Sequence, residues 1–280
     1  MPLDTRRLNG PEQCFNPYDF CPTGDTSDSA KAEILPSKMM GNSRLDGRSS
    51  SQLRPIFLQA GVVSQARGSA YIEMNQTKVI CAIYGPREVL RREDFSLKGQ
   101  LTCDFKFATF SCNQRRQHQP DEQSKDLSVR ILEAMESAVC LHKYPKSQIN
   151  IYVTVLQNDG SALTAAIICA SVAMASAGVE MYDIVLSSSL AVSDTLVLAD
   201  PTSQEEDAIL TTATKTDVST GLITVAFLPS VNQISAVSSD GQVSVEALKQ
   251  HLQVCIGNCQ KVYQVVHQTL RSHLMKAQTC

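Results

Sequence analysis

One stretch, Tyr144 to Gly178, constrains this chain more than any other. It opens with an alternating run, Ile149, Ile151, Val153 and Val155, all β-branched. Period-two alternation of such residues predicts a strand. Asn158-Asp159-Gly160 then breaks the pattern with turn residues. A run of small apolar residues, Ala162 to Ala177, follows and closes at Gly178, a residue suited to a helix C′ position. A helix with Ala, Ser and Cys on most faces has no strongly polar side to turn to water. It must lie buried, close to its neighbours. A Gly-containing turn between a buried strand and a helix start can also present backbone N–H groups to an anion. Whether this turn still grips phosphate decides what the chain does.

Composition narrows the classes. The chain has 280 residues, enough for one large domain or two small ones, and 43% of them are hydrophobic, which is ordinary for a globular protein. A formal net charge of −3 gives no strong field for nucleic acid, and with aromatics at 5% and no Trp there is no evident stacking set. Both speak against a free-standing RNA-binding module, although a local basic patch is compatible with them. No apolar run approaches a membrane span. The opening M-P-L-D-T-R-R-L-N-G-P-E-Q lacks the apolar core of a signal peptide. No membrane partner is expected. The ten cysteines show no CxxC pair and no His/Cys metal spacing. Cys81, Cys140, Cys169 and Cys255 sit in apolar patterns and read as reduced core residues. Cys255 and Cys259 are one helical turn apart, where packing explains them better than a metal does. No metal and no cofactor are expected, and the compartment reads as reducing, cytosol or nucleus.

Taken in order, residues 1–52 are rich in Pro, Gly, Ser, Asn and Asp and lack sustained periodicity. They read as an extended N-terminal arm, or equally as a disordered tail, ahead of a domain over 53–280. Strands are expected over Ile56–Val63, Gly68–Met74, Thr77–Tyr84 and Leu101–Phe110, with Asn75-Gln76 as a hairpin turn and Gly85-Pro86 as a stop. A polar loop beginning at Arg87 carries Arg91 and Arg92; a second polar segment carries Arg115 and Arg116. A helix with Leu127, Ile131, Ala134, Ala138 and Leu141 on one stripe follows, capped by Asp121 or Ser124. After the buried helix come strands at Met181–Val192 and Thr195–Leu198, and an irregular, early-acidic stretch over Asp200–Thr220. A hairpin around Pro229 and a turn at Asp240-Gly241 come next. A long last helix starts at Ser244 with the stripe Leu248, Leu252, Cys255, Cys259, Val262, Val266, Leu270 and Leu274. Strands and helices are segregated, so the fold class is α+β.

Six segments, in this order, resemble the RNase PH fold (ribosomal protein S5 domain 2-like). They are R-L-D-G-R at 44–48 with Arg54-Pro55; G-S-A-Y-I-E at 68–73 with T-K-V-I-C-A-I-Y-G-P-R at 77–87; L-S-V-R-I-L-E-A-M-E-S-A-V at 127–139; D-G-S-A-L-T-A-A-I at 159–167; A-S-A-G-V at 175–179; and P-S-V-N-Q at 229–233. Active members of that family are phosphorolytic 3′→5′ exoribonucleases, in which inorganic phosphate attacks the terminal phosphodiester. Bringing two anions together needs cations or aimed N–H donors, and the leaving oxygen needs an acid or a metal-holding carboxylate.

The resemblance implies an Arg clamp after the Asp-Gly turn, preceded by a small hydroxyl residue or Gly. Those positions hold Leu163 and Ala162 here. It implies an Asp in the strand before Pro-Ser-x-Asn-Gln; that position holds Leu222, and no acid lies between Thr220 and Pro229. Glu205, Glu206 and Asp207 lie upstream and could substitute, but such a run reads first as a solvated acidic loop. It also implies paired Arg before the first long helix, where Pro120-Asp121-Glu122-Gln123-Ser124 stands. Three losses in one direction resemble the catalytically silent ring subunits of the eukaryotic RNA exosome, a likeness also carried by residues 1–12, 64–71 and 177–183.

What that resemblance implies is a scaffold with neighbouring RNase PH-like ring subunits, S1/KH cap subunits above, and single-stranded RNA threading the pore. It further implies a place in nucleus, nucleolus and cytoplasm, and a role in RNA degradation and rRNA processing. Arg87, Arg91 and Arg92 then match a pore-neck loop, with Arg115 and Arg116 as weaker RNA contacts; singly, each also suits a solvated surface. The alternative is an active phosphate-dependent exoribonuclease, which needs a replacement acid and a borrowed clamp.

Overall fold

The computed structural model describes residues 44, 46–89, 96–112, 114–119, 121–193, 196–213 and 220–279. Among the described residues, nine strands and four α-helices run β1 (Ile56–Ala60), β2 (Gly68–Met74), β3 (Thr77–Glu88), β4 (Gln100–Phe107), α1 (Glu122–Glu136), β5 (Ser147–Gln157), α2 (Ala162–Ser176), β6 (Leu186–Ser193), β7 (Leu196–Ala199), α3 (Ser203–Ala213), β8 (Thr220–Leu228), β9 (Gln233–Gln242) and α4 (Val245–Thr279). They form a five-stranded sheet, β1-β2-β3-β5-β4, and a four-stranded sheet, β7-β6-β8-β9. All pairings are antiparallel except β4–β5. The fold is α+β.

The apolar patterns place the elements. Ile149, Ile151, Val153 and Val155 all point inward from β5. Opposite them lies α2, on which every residue from Leu163 to Met174 is buried. Its small side chains let it pack against β2 and β3 of one sheet and β6 of the other. Gly68 is where β2 comes closest: a Cβ there would sit 2.3 Å from the Ala177 nitrogen and 2.4 Å from the Ala173 oxygen. Gly178 ends the helix at φ +69°, the left-handed C′ conformation its sequence suggested. On α4, Cys255, Cys259, Val262 and Val266 face the core, while Leu274 at the end of the expected stripe is 62% exposed. Cys81, Cys140 and Cys169 are likewise buried free thiols.

Several boundaries differ from the sequence reading. β1 stops at Ala60, β4 at Phe107, and β6 begins only at Leu186. β3 does not stop at Gly85-Pro86: the ladder with β5 shifts register between Tyr84 and Arg87 and resumes with Arg87 opposite Gln148. A bulge absorbs the proline, which has no N–H to give to a regular ladder. Gly241 does not turn the chain either; it stays in β9 opposite Gly221, with φ +120° and no room for a Cβ beside the Thr220 oxygen. The expected irregular stretch over 200–220 contains α3. Its start carries a capping box: the Glu205 carboxylate accepts from the Thr202 N–H at 2.9 Å, the Thr-x-x-Glu pattern that marks a helix N-terminus.

Of the expected arm, residues 1–43 and 45 lie outside the described residues. Arg44 and Arg48, near its end, sit on the folded unit: Arg44 donates to the Ala199 and Asp200 oxygens and Arg48 to the Asp200 oxygen, at the end of β7.

Candidate functional site

The Asp159-Gly160-Ser161 turn is held from below by a buried arginine. Arg54, fully buried, grips Asp200 through Nε at 2.8 Å and Nη2 at 2.6 Å. The same guanidinium donates to the Asp159 oxygen at 3.0 Å and the Gly160 oxygen at 3.2 Å. The Thr77 hydroxyl also donates to the Gly160 oxygen, at 2.9 Å. Gly160 is obligatory: its φ is +86°, and a Cβ would lie 2.6 Å from the Pro201 oxygen and the Ser203 nitrogen. Burial opposes the charge on Asp200, but the Arg54 guanidinium outweighs it and holds the carboxyl below its ordinary range.

One amide the turn could offer an anion, that of Ser161, is already taken. The Ser161 N–H donates to Glu206 Oε1 at 2.7 Å, and the Ser161 hydroxyl bonds Ser189 and the Pro201 oxygen at 2.8 and 3.1 Å. Burial pushes Glu206 up to about 7, against the pull of the Ser161 N–H and of Arg54. Glu205 turns the other way and pairs with Arg44 through both oxygens, at 2.9 and 2.8 Å. Burial is the largest influence on Glu205 and raises it, but Arg44 and the Thr202 N–H bring it below its ordinary value. The reading of Glu205, Glu206 and Asp207 as a solvated acidic loop is therefore overturned for the two glutamates. Asp200 and Glu205 are buried partners of arginines, Glu206 fills the turn, and Asp207 alone of the expected trio is exposed.

Leu163, the second residue of α2, is buried against a cleft of about 320 Å³ between α1, α2, β8 and β9. The cleft does hold an arginine, Arg130, which the sequence reading quoted within a motif but did not single out. It pairs with Asp240 through both terminal nitrogens, at 2.6 and 2.8 Å. Its Nε lies 2.9 Å from Asp126, and Nη1 donates to Ser238 at 2.5 Å. Bonding to Asp240 raises the Arg130 pKa, so this cation is fixed and already neutralised by two carboxylates. Ala162 is half-buried beside Leu163. Leu222 does not share the cleft; it packs on the small cluster of Ala191, Leu198 and Ile209. Asp240 stands directly across the β8–β9 ladder from Leu222. A period-two register shared with the next strand was the signal that could have found it.

The candidate RNA-binding arginines are not equivalent. Arg87 is exposed at the end of β3, with its guanidinium 5.2 Å from the Tyr84 ring centre. Arg91 and Arg92 lie outside the described residues. Arg115 is exposed. Arg116 is tucked over Phe107 at 4.1 Å and donates to Gln123 at 3.0 Å. The pair is thus split between solvent and an aromatic shelf. Among the described residues, no group of three or more His, Cys, Asp or Glu is placed to hold a metal, and no helix is long and apolar enough to cross a membrane.

A mixed five-stranded sheet and a second sheet clasping one small-residue helix define a class, and comparison with known proteins identifies it. The family model for the 3′ exoribonuclease family, domain 1 (RNase PH) matches residues 52–180. The chain belongs to the RNase PH family, and the curated proteins it is similar to include exosome components. The human exosome complex component MTR3 is 34% identical over 286 residues, covering 96% of this chain and 95% of that protein. The exosome complex component Rrp41 of Thermococcus kodakarensis is 31% identical over 237 residues, covering 83% and 90%. Among solved structures, rice Rrp46 matches with a TM-score of 0.69 at 21% identity, covering 81% of this chain and all of that one. A chain of the Archaeoglobus fulgidus exosome with RNA bound to the active site matches with a TM-score of 0.67 at 20% identity, covering 80% and 92%. These two likenesses speak to the fold.

Proposed function

We propose that this chain is a non-catalytic structural subunit of an RNA exosome ring, supporting 3′→5′ RNA processing and degradation by holding the ring and lining the RNA path. The observation that carries the reading is the filled turn. Where the family clamps phosphate, Leu163 supplies no charge, the Ser161 N–H is spent on Glu206, and the neighbouring Arg130 is spent on Asp240 and Asp126. A phosphate arriving here meets aliphatic carbon and carboxylates, the reverse of what an in-line attack on a phosphodiester needs. The likeness to MTR3 along nearly the whole length supports the same reading.

The partners are then other RNase PH-like ring subunits and S1/KH cap subunits, with single-stranded RNA passing through the assembled channel. The location is where an RNA exosome works: nucleus, nucleolus and cytoplasm. Arg87, with Arg91 and Arg92 beyond it in sequence, contacts backbone phosphates; Arg115 is a second, weaker contact. No cofactor is required.

The test is direct. The pure chain, and the chain assembled with its ring neighbours, are incubated with single-stranded RNA and inorganic phosphate. No nucleoside diphosphate is expected from this subunit. Phosphate-dependent shortening by the pure chain would overturn the reading in favour of an active exoribonuclease.

A further inference from the structure

The outer face of the five-stranded sheet is left without a role by the scaffold reading. Its inner face is spent on packing: Val79, Cys81, Ile83, Ile151 and Val153 are buried toward α2. Outward, β3 carries Tyr84 and β5 carries Tyr152. Register makes them diagonal neighbours, since Tyr84 faces Asn150 and Ala82 faces Tyr152. The two rings meet edge to face with centroids 5.7 Å apart and planes at 73°. Tyr152 is 42% exposed and Tyr84 is half-buried. Each ring holds the other, so a flat ligand settling there orders little that is not already ordered.

Charge and hydrogen bonding favour one kind of ligand. Arg87 is exposed with its guanidinium over Tyr84. Next to the rings stands an uncharged polar row: Thr102 donates to Asn150 Oδ1 at 2.9 Å, and Gln148 Nε2 lies 3.4 Å from the Thr102 hydroxyl. On β4, Asp104 lies opposite Tyr152 and Lys106 opposite Thr154, so the flank carries no net charge. Aromatic faces, one guanidinium and amide groups are the set that takes unpaired bases: rings for stacking, amides for base edges, a cation for the phosphate. Aromatic rings and arginine also mark protein interfaces; the uncharged amide row beside the rings is what favours bases here, and a protein neighbour is a separate outcome of the test below.

We propose that Tyr84, Tyr152 and Arg87 form a base-stacking platform for single-stranded RNA, with Asn150 and Gln148 beside it as base-edge contacts. The proposal rests on the RNA-path reading above and adds a contact with bases to a contact with phosphates.

The full-length chain is titrated with a fluorescein-labelled oligouridine at low salt, and with an abasic oligonucleotide of equal length. Stacking is lost without the base while the phosphate charge is kept. The expected result is weaker binding of the abasic strand. Tyr152→Ala should weaken oligouridine binding about fivefold or more with an unchanged salt slope, and Tyr152→Phe should bind like the parent. Arg87→Gln should instead flatten the log–log salt slope by about 0.7. Photo-crosslinking of 4-thiouridine RNA to the unaltered chain gives a readout that needs no variant; adducts are expected on the peptides holding Tyr84 or Tyr152. Equal binding of abasic and uridine strands, an indifferent Tyr152→Ala, or no binding by the parent chain would overturn the proposal. So would a Tyr152→Ala variant that binds RNA normally but no longer joins a ring, which would make this face a subunit interface. Ring membership is read separately by native mass, so stacking can fail while the scaffold reading stands.

Discussion

On the proposed reading, Leu163 and Glu206 are what set this turn apart from a phosphate site at the residue scale. Restoring the clamp by Leu163→Arg places a guanidinium beside Asp126, Arg130 and Asp240, where the carboxylates compete for it. The acid position, Leu222, is still aliphatic, and groups that act as a unit give little rate when one is missing. Leu163→Arg is therefore expected to show no phosphate-dependent release of nucleoside diphosphates above the parent; release would mean that another group supplies the acid. Glu206 makes a different prediction. Its folded pKa, about 7, lies above the ordinary 4.5. A raised carboxyl favours the folded state while it is protonated. That contribution is complete below about 4.5 and is lost as pH rises to about 7, beyond which the penalty is constant. Glu206→Gln keeps an oxygen for the Ser161 N–H and removes the titration. Relative to the parent it should be neutral in acid and increasingly stabilised between about pH 4.5 and 7. Each tenfold difference in proton affinity between the folded and unfolded chain is worth about 1.4 kcal/mol before solvent screening, and the gain is read from urea midpoints across pH. A difference independent of pH would show that Glu206 is not the titrating group.

At the scale of elements, α2 and the strands around it decide the fold, and most of them were legible. Alternation on β5 and the small-residue run of α2 are local signals, and the structure follows them closely. What was missed depends on partners distant in sequence. The acids at 205 and 206 read as a loop because Arg44 and the turn at Ser161 are 161 and 45 residues away. Arg130 passed unnoticed because Asp240 is 110 residues distant. The positions Ala162, Leu163 and Leu222 were read from the resemblance, and the aliphatic residue at each, where it implies a small hydroxyl residue or Gly, an Arg and an Asp, is plain in the sequence. That Glu206 fills the turn was not readable there. One local signal was available and unused, the Thr202–Glu205 capping box that opens α3. The helix-to-sheet fit itself is testable at Gly68. With Ala173 and Ala177 backbone atoms within 2.4 Å of any added Cβ, Gly68→Ala must push β2 from α2. Overpacking of this kind costs about 1–3 kcal/mol. Urea unfolding should show the midpoint falling with the slope little changed, whereas an unshifted midpoint would mean that the strand and helix can part freely.

For the whole molecule, the site turn has become a joint. Arg54 comes from just before β1, Asp200 from the end of β7 and Gly160 from the entrance to α2, and their bonds tie the two sheets to the central helix. A buried pair like this is costly to break by removing one partner, since the other charge stays buried. It therefore suits a rigid part in an assembly better than a site that must admit an anion. On the proposed reading, function lies instead on outward surfaces that meet RNA and neighbours. Changing Arg87, Arg91 and Arg92 together to Glu alters the formal charge by six, from −3 to −9, and replaces none of the residues that make this joint. In the assembled ring, such a variant should co-purify with its neighbours at the parent's native mass. Its RNA binding should be weaker and less dependent on salt, because fewer counterions are released from the strand on contact. Filter binding across a salt series measures the second effect and native mass the first. Unaltered RNA binding would leave the three arginines as ordinary surface charges. A ring that fails to form would make their segment part of the subunit contact, and the RNA path would have to be sought on another face.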